Sequence, residues 1–414
     1  MRRSSYIQLL LVLLLLGVEV LVVTGRPGET FNPFPVRKKE QDFVARQREL
    51  RSGEGPTLPD DWGNYQGKGR DTNGAVKIVR AESMSQQETP RGLLTTLQSR
   101  VKFIQDSSTM WCDLAQYYND LGELRLLGRV LFIDPQRTLS ADEVKHYEDK
   151  QLTTARGNVK IYRDSVLLTC REGKYIEQGR IAQFYDHMEV YDEQRNTLLT
   201  GGMGTWEGDR ERGEVPLKPV LTEYDSTGEE VARITSRFMA YDARYGIADA
   251  RDSVTIRWEE VDGRSDRLLF YPEEDKALMI GEPVVWRDRD EARGDSIWLY
   301  LTDESIDSVE IFGDAVAFMH SDSSDTTAPR SWMRAFRIVM DFENGEVARM
   351  AGNRQARAVY HIFNEGEDQG SNQVSGDKIT LLVEDREVSD VIVEGGTRGT
   401  YYPQRLSDKV RRDD

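Results

Sequence analysis

Across 414 residues the sequence has only two cysteines, Cys112 and Cys170, and four histidines, His146, His187, His320 and His361. Two thiols this far apart exclude a disulfide scaffold and a close-spaced zinc motif. Histidines scattered singly give no metal or catalytic cluster. Basic charge is in deficit, with 55 Lys and Arg against 72 Asp and Glu and a net charge of -17. So acidic a surface repels phosphate backbones and argues against a nucleic-acid partner. Apolar mass is also short: 38% hydrophobic against 31% charged is lean for one thick core and suits thin layered sheets better. Gly67-Lys68-Gly69 and the glycines at 201, 202 and 204 lack the strand-to-helix context of a phosphate loop and read as turns. The acid-rich run from Ser321 to Thr327 reads as a solvated loop. No spacing sets two acids up as an acid and base pair, so no residue is assigned a catalytic role, and neither a metal nor a cofactor is expected.

One long apolar run is present, and it stands at the start. Arg2 and Arg3 precede Ile7 to Val23, which only Gln8, Gly17 and Glu19 interrupt, and Thr24 and Gly25 follow. This is the pattern of an export signal over residues 1–25. Cleavage after Gly25 would put Val23 and Gly25 at the small-residue positions, while Pro27 just beyond favours retention of residues 7–23 as an anchor; both outcomes stay open. No cysteine near the end of the run supports lipid modification, and no later stretch approaches the ~18 apolar residues of a spanning helix. Residues 26–70, with Pro27, Pro33, Pro35, Pro56 and Pro59 and a helical piece over Arg37 to Arg51, read as a spacer.

The remainder is strand-like, with runs of Val, Ile, Tyr and Thr punctuated by Gly, Asn and Asp. It is also repetitive. SRVKFI, GRVLFI, GNVKIY and DHMEVY open at Ser99, Gly128, Gly157 and Asp186, an interval of 29 residues each time. Tyr118, Tyr147 and Tyr271 each stand ten residues ahead of a glycine, at 128, 157 and 281. Fixed-period self-similarity of this kind is the mark of a repeat architecture. Three further segments, Gly294 to Gly313, Met333 to Gly352 and Gly376 to Gly395, alternate, turn and alternate again, which predicts β-hairpins. One face of each opening segment is apolar: Val101 and Phe103, Val130 and Phe132, Val159 and Ile161, Met188 and Val190. The other face carries Lys102, Leu131, Lys160 and Glu189. Stacked in register, the first set makes a continuous apolar stripe, either closed core between two sheets or a groove open along one side. The cysteines fall at equivalent places in their repeats, with Ala141 between them. If each repeat gives one strand to a sheet, their backbones lie about 10 Å apart, beyond the ~7 Å reach of a disulfide, and two free thiols are predicted.

GRVLFIDPQRTLSADEVKHY from Gly128 to Tyr147 and GNVKIYRDSVLLTCREGKY from Gly157 to Tyr175 resemble the repeat of the OstA-like family, which includes LptA, the periplasmic part of LptC and the N-terminal domain of LptD. Arg171 departs from that repeat, which has an acid there. The resemblance spans about residues 74 to 403 and is strongest from 99 to 206. GNRQARAVYHIF from Gly352, NQVSGDKITLLV from Asn372 and YYP from Tyr401 look like the larger members. The resemblance divides the body into an OstA-like domain over 71–213, a divergent continuation over 214–330, C-terminal repeats over 331–403 and a charged tail over 404–414.

The fold implied is all-β, an elongated stack of antiparallel strands in two sheets, called a β-taco or β-jellyroll. The function implied is periplasmic binding of lipopolysaccharide or a related glycolipid and its transport towards the outer membrane. Acyl chains would lie between the sheets against Val101, Phe103, Val130, Phe132, Val159, Ile161, Met188 and Val190. The partners implied are other OstA-like components joined by edge-strand pairing, with a homo-oligomer as a further case. No barrel sequence follows before Asp414, so a role other than that of LptD is expected. The alternative is a structural or adhesive β-repeat protein with a closed core and no lipid; an enzyme acting on envelope glycan ranks below both.

Overall fold

The fold comes from a computed structural model, which describes residues 76–404 apart from 106–107, 135–136, 164, 259–260, 303–304, 321–329, 344, 365–366 and 385. The export segment, the spacer, the loop at 321–327 and the tail past 404 lie outside the described residues. Contact patterns divide the rest into two units, an N-terminal one with residues 76–230 and 238–245 and a C-terminal one with 231–237 and 246–404.

The N-terminal unit is built from β1 (Lys77–Arg80), β2 (Ser83–Thr89), β3 (Gly92–Gln105), β4 (Ser108–Tyr118), β5 (Glu123–Ile133), β6 (Arg137–Tyr147), β7 (Leu152–Arg163), β8 (Val166–Ile176), β9 (Ile181–Asp192), β10 (Thr197–Glu207), β11 (Arg212–Val215) and β12 (Val220–Tyr224). The chain then gives β13 (Glu230–Thr235) to the C-terminal unit and β14 (Phe238–Asp242) to the N-terminal one. The C-terminal unit continues with β15 (Ile247–Trp258), β16 (Val261–Tyr271), β17 (Lys276–Ile280), β18 (Val284–Arg287), β19 (Asp290–Arg293), β20 (Ser296–Thr302), β21 (Ser305–His320), β22 (Arg330–Glu343), β23 (Glu346–Asn364), β24 (Glu367–Glu384), β25 (Glu387–Glu394) and β26 (Arg398–Pro403). All described pairings are antiparallel, so the all-β expectation holds, and the three hairpins read from the sequence are present as β20–β21, β22–β23 and β24–β25.

The residues that open each repeat do not start a strand. Ser99 and Arg100, Gly128 and Arg129, Gly157 and Asn158, and Asp186 and His187 all have positive φ, between 45° and 73°. The ladder slips at each pair and then resumes, so β3, β5, β7 and β9 run through a sharp bend in mid-strand. Each bent strand thus serves two layers. In the N-terminal unit, arm A takes the portions before the bends of β3, β5, β7 and β9, and arm B takes the portions after them. The tyrosines that close β4, β6 and β16 lead into single 3₁₀ turns at Asn119–Leu121, Glu148–Lys150 and Pro272–Glu274.

The arms face each other across a shared interior. A Cβ added to Gly204 of arm A would run into Met188 Sδ of arm B, and one at Gly173 would sit 3.8 Å from Val159 Cγ1. Leu97, Ala115 and Leu126 of arm A pack with Val101, Phe103, Cys112 and Val130 of arm B in one cluster. The C-terminal unit repeats the plan with bends at Asp252–Ser253, Gly281–Glu282, Gly313–Asp314 and Arg354–Gln355. There we call the layer holding 247–251, 267–280, 296–302, 305–312, 337–343, 346–353, 378–384 and 387–394 arm C. The layer holding 231–235, 254–258, 261–265, 284–293, 315–320, 330–335, 356–364, 367–375 and 398–403 is arm D.

One spacing needs correction. Each repeat contributes two strands to each arm, not one, so Cys112 on β4 and Cys170 on β8 stand four strand intervals apart, about 19 Å. Both thiols are free and buried.

Candidate functional site

The apolar stripe is a single ladder in arm B. Phe103 pairs with Met110, and the line continues through Phe132, Leu139, Ile161, Leu168, Val190, Leu199 and Leu221, one residue per strand from β3 to β10 and then β12. At ~4.8 Å per strand its eight intervals extend about 38 Å. Across the interior, arm A presents Leu97, Ala115, Leu126, Val144, Ala155, Gly173, Phe184 and Gly204 in register. Four of these arm A residues are small, Ala115, Ala155, Gly173 and Gly204, and at Gly204 Met188 Sδ of arm B fills the space a Cβ would need.

The eight residues singled out from the sequence fall into two sets. Val101, Val130, Val159 and Met188 sit beside the bends, paired with Cys112, Ala141, Cys170 and Gly201, and are at most 2% exposed, so they form the closed spine of the interior. Phe103, Phe132, Ile161 and Val190 lie one step towards the open side. Of these Phe132 is half-buried, as are its neighbours Met110 and Leu139 and, on arm A, Leu124 and Val144. These half-buried apolar side chains are where the interior meets solvent.

A rim of arm A was not read from the sequence. Tyr117, Leu124, His146, Thr153, Tyr175, Ala182 and Trp206 share a second line nearer the hairpin tips. His146 Nδ1 lies 3.0 Å from Thr153 Oγ1, and the Tyr117 hydroxyl donates to Glu148 at 3.2 Å. Burial, with Glu148 beside it, pushes the Tyr117 hydroxyl pKa up. Tyrosines recurring at the ends of strands were the available signal, but mixed apolar and polar positions hid the line.

Three bends of the N-terminal unit are fastened by a charged or polar partner on the neighbouring strand. Arg129 grips Asp113 with Nε and Nη2, at 3.1 and 2.6 Å, and Asn158 Nδ2 donates to Asp142 at 2.8 Å. In the next repeat the signs are exchanged: Arg171 donates to Asp186 at 3.2 Å, and both Arg171 and His187 hold that carboxyl below its usual range.

The C-terminal unit carries a parallel interior. Arm C runs Phe270, Ala277, Leu299, Val309, Met340, Met350 and Leu381 in register, and arm D runs Ile256, Gly263, Val285, Ala292, Ala317, Met333 and Ala358. Between them lies a cavity of about 160 Å³ lined by Trp258, Val261, Val285, Val309, Met340 and Phe342. Its open side is bridged by charge. Arg386, in the β24–β25 turn of arm C, reaches Asp290 at the β18–β19 tip of arm D at 2.8 Å and Glu346 at 3.3 Å, while Arg287 of arm D lies 3.7 Å from Glu346. The His320 backbone N–H donates to Asp290 at 2.7 Å, and burial pushes the His320 imidazole pKa down. In the N-terminal unit the described pairs nearest the strand middles, Arg125–Glu143 at 2.6 Å and Arg156–Glu172 at 3.3 Å, run along arm A.

No group of three His, Cys, Asp or Glu among the described residues could hold a metal ion. No helix among them is long and apolar enough to cross a membrane, which says nothing about a β-barrel. The fold and its interior define an all-β protein of bent antiparallel strands with an apolar space between two layers. Residues 138–305 match the family described as LptA/(LptD N-terminal domain) LPS transport protein, and over them the resemblance read from the repeats holds. Among solved structures the chain is similar to LptH of Pseudomonas aeruginosa, the LptA homologous periplasmic component of the conserved lipopolysaccharide transport device. Identity is 16%, 34% of this chain and 95% of that chain are covered, and the TM-score is 0.27. No curated protein sequence matches.

Proposed function

We propose that the chain carries lipopolysaccharide or a related acylated glycolipid through the periplasm towards the outer membrane, with acyl chains lodged between arms A and B and the sugar head outside. The observation that carries this reading is the unbroken arm B ladder whose members Met110, Phe132 and Leu139 remain half-buried on the inner face. An acyl chain of about a dozen methylenes exposed to water costs on the order of 10 kcal/mol, so a carrier must shield it. The family match over residues 138–305 supports the same role.

The edges support assembly with other components of this kind. Among the described pairings, β1 and β2 pair only with β3, and β25 and β26 only with β24. Exposed apolar side chains gather on these four strands, at Ile78, Val79, Met84, Ile392 and Tyr401. A strand from a partner or a second copy would cover them and extend the ladder. An N-terminal signal, cleaved or kept as an anchor, would deliver the chain to that compartment.

The test uses lipid photo-crosslinking. Phe132→Asp is expected to abolish labelling while the protein stays folded by circular dichroism. Ile161, 6% exposed, is the contrast: an aspartate there is buried without a partner and is expected to cost stability first. Wild-type labelling in a folded Phe132→Asp protein would leave the second reading, a closed core, which the fully buried Val101, Met188 and Val190 favour at their own positions.

A further inference from the structure

The outer face of arm D carries a feature that the interior between the arms does not use. Arg264, Val284, Arg293, Val316, Arg334, Arg357, Ser375 and Arg398 form one cross-strand row from β16 to β26. Its seven intervals span about 34 Å, with successive arginines about 5 or 10 Å apart along the row. All five arginines are exposed. Arg293 pairs with Glu291 at 3.2 Å and Arg264 lies over the Trp286 ring at 5.2 Å. Arg334, Arg357 and Arg398 have no ion pair or side-chain hydrogen bond among the described residues, and Arg334 stands directly opposite Arg357. Like charges placed opposite one another destabilise a sheet, and in a chain of net charge -17 there were acids enough to avoid it.

The flanks of the row are specific too. Two residues towards the strand tips, Trp286, Phe318 and Trp332 occupy a parallel line on the same face, and Arg330 covers the Phe318 ring at 4.4 Å. Towards the bends, Asp266, Glu282, Asp295 and Asp314 share with Arg264, Arg293 and Arg334 an open concavity of about 640 Å³. A single small anion would need one arginine pair, not a row. A flat anionic bilayer would be repelled by the acids on the bend side. A linear ligand with regularly spaced anionic groups and hydroxyls suits the row and its bend-side flank: guanidiniums take the anions and carboxylates accept from hydroxyls, while Phe318 is buried beneath Arg293 and Arg330 and only the half-buried Trp286 and Trp332 border the row.

We propose that the outer face of arm D binds an acidic polysaccharide, laid along the arginine row. The site lies outside the interior between the arms and does not rest on the acyl-chain reading, and Phe132→Asp is expected to leave it unchanged. Calorimetric titration of the full chain with polygalacturonate is the test, with dextran as the uncharged control and inorganic polyphosphate as the charge-only control. Polygalacturonate is expected to bind and dextran not to bind. Arg334→Glu with Arg357→Glu, both exposed, is expected to weaken polygalacturonate roughly tenfold or more through lost charge-assisted hydrogen bonds. Arg398→Glu, on the edge strand, is expected to weaken it less. Polyphosphate binding as tightly as polygalacturonate would make the row a surface for charge alone and overturn the proposal. No binding of polygalacturonate, or binding unaffected by both arginine variants in folded protein, would overturn it as well.

Discussion

At the scale of single residues the repeat is a device for bending a strand. The glycine that opens a repeat supplies the left-handed backbone, and the acid of the previous strand fastens the bend through its partner beside that glycine. Gly157 has φ 73°, and a Cβ there would run into Asp142 Oδ2, so Gly157→Ala is expected to cost about 1–2 kcal/mol in urea unfolding. Arg171, which looked like a lapse from the repeat, is its mirror image, because its partner across the bend is Asp186. Arg171→Asp alone is expected to lower the urea midpoint by setting two carboxylates together. Exchanging both signs at once should restore it, and a double variant no better than the single one would show that the pair is not what fastens this bend. The thiols are structural fillers: burial pushes both Cys112 and Cys170 up to about 12. A thiol reagent is expected to label neither in the native protein and both after denaturation without reductant.

At the scale of elements the two units differ in how their open sides are managed. The C-terminal interior is bridged by Arg287, Asp290, Glu346 and Arg386, held between hairpin tips of opposing arms. Arg386→Gln is expected to speed amide exchange at the β18–β19 and β24–β25 tips and leave the middles of those strands protected; unchanged tips would mean that packing alone holds the side shut. His320 packs beside this bridge with its pKa lowered from 6.5 by burial. A folded pKa below the unfolded one means that the unfolded state binds the proton first, so the contribution is complete above 6.5 and fades as pH falls below it. His320→Gln is expected to flatten stability against pH in that window. At the edge, β25 presents Ile392 at 51% exposure, and Ile392→Pro is expected to lower partner binding without unfolding the unit.

At the scale of the whole molecule, the plan follows from a shortage of apolar mass. A chain this charged cannot fill a thick core, so bent strands serve two thin layers with a narrow apolar interior between them. The average charge conceals what the fold sorts out. Asp266, Glu282, Asp295 and Asp314 gather at the bends, whereas arm D collects arginines on one outward line, a segregation that net charge alone had hidden.

The sequence alone determined the class of fold and the period, because alternation and a turn residue every 29 positions are local properties of the chain. It also singled out the eight inward residues, since each opening segment carries its own face. What it could not determine was the role of the opening residues, as a left-handed pair ends a strand or bends it depending on whether the neighbouring strand continues alongside. That choice belongs to the tertiary structure, and with it went the number of strands per repeat and the distance between Cys112 and Cys170. That Phe132 alone of the eight stays half-buried was settled there too, as were the meeting of Arg386 with Asp290 across 96 residues of chain and the alignment of arginines from five strands. Each depends on pairing between segments far apart in sequence, where no local pattern reaches.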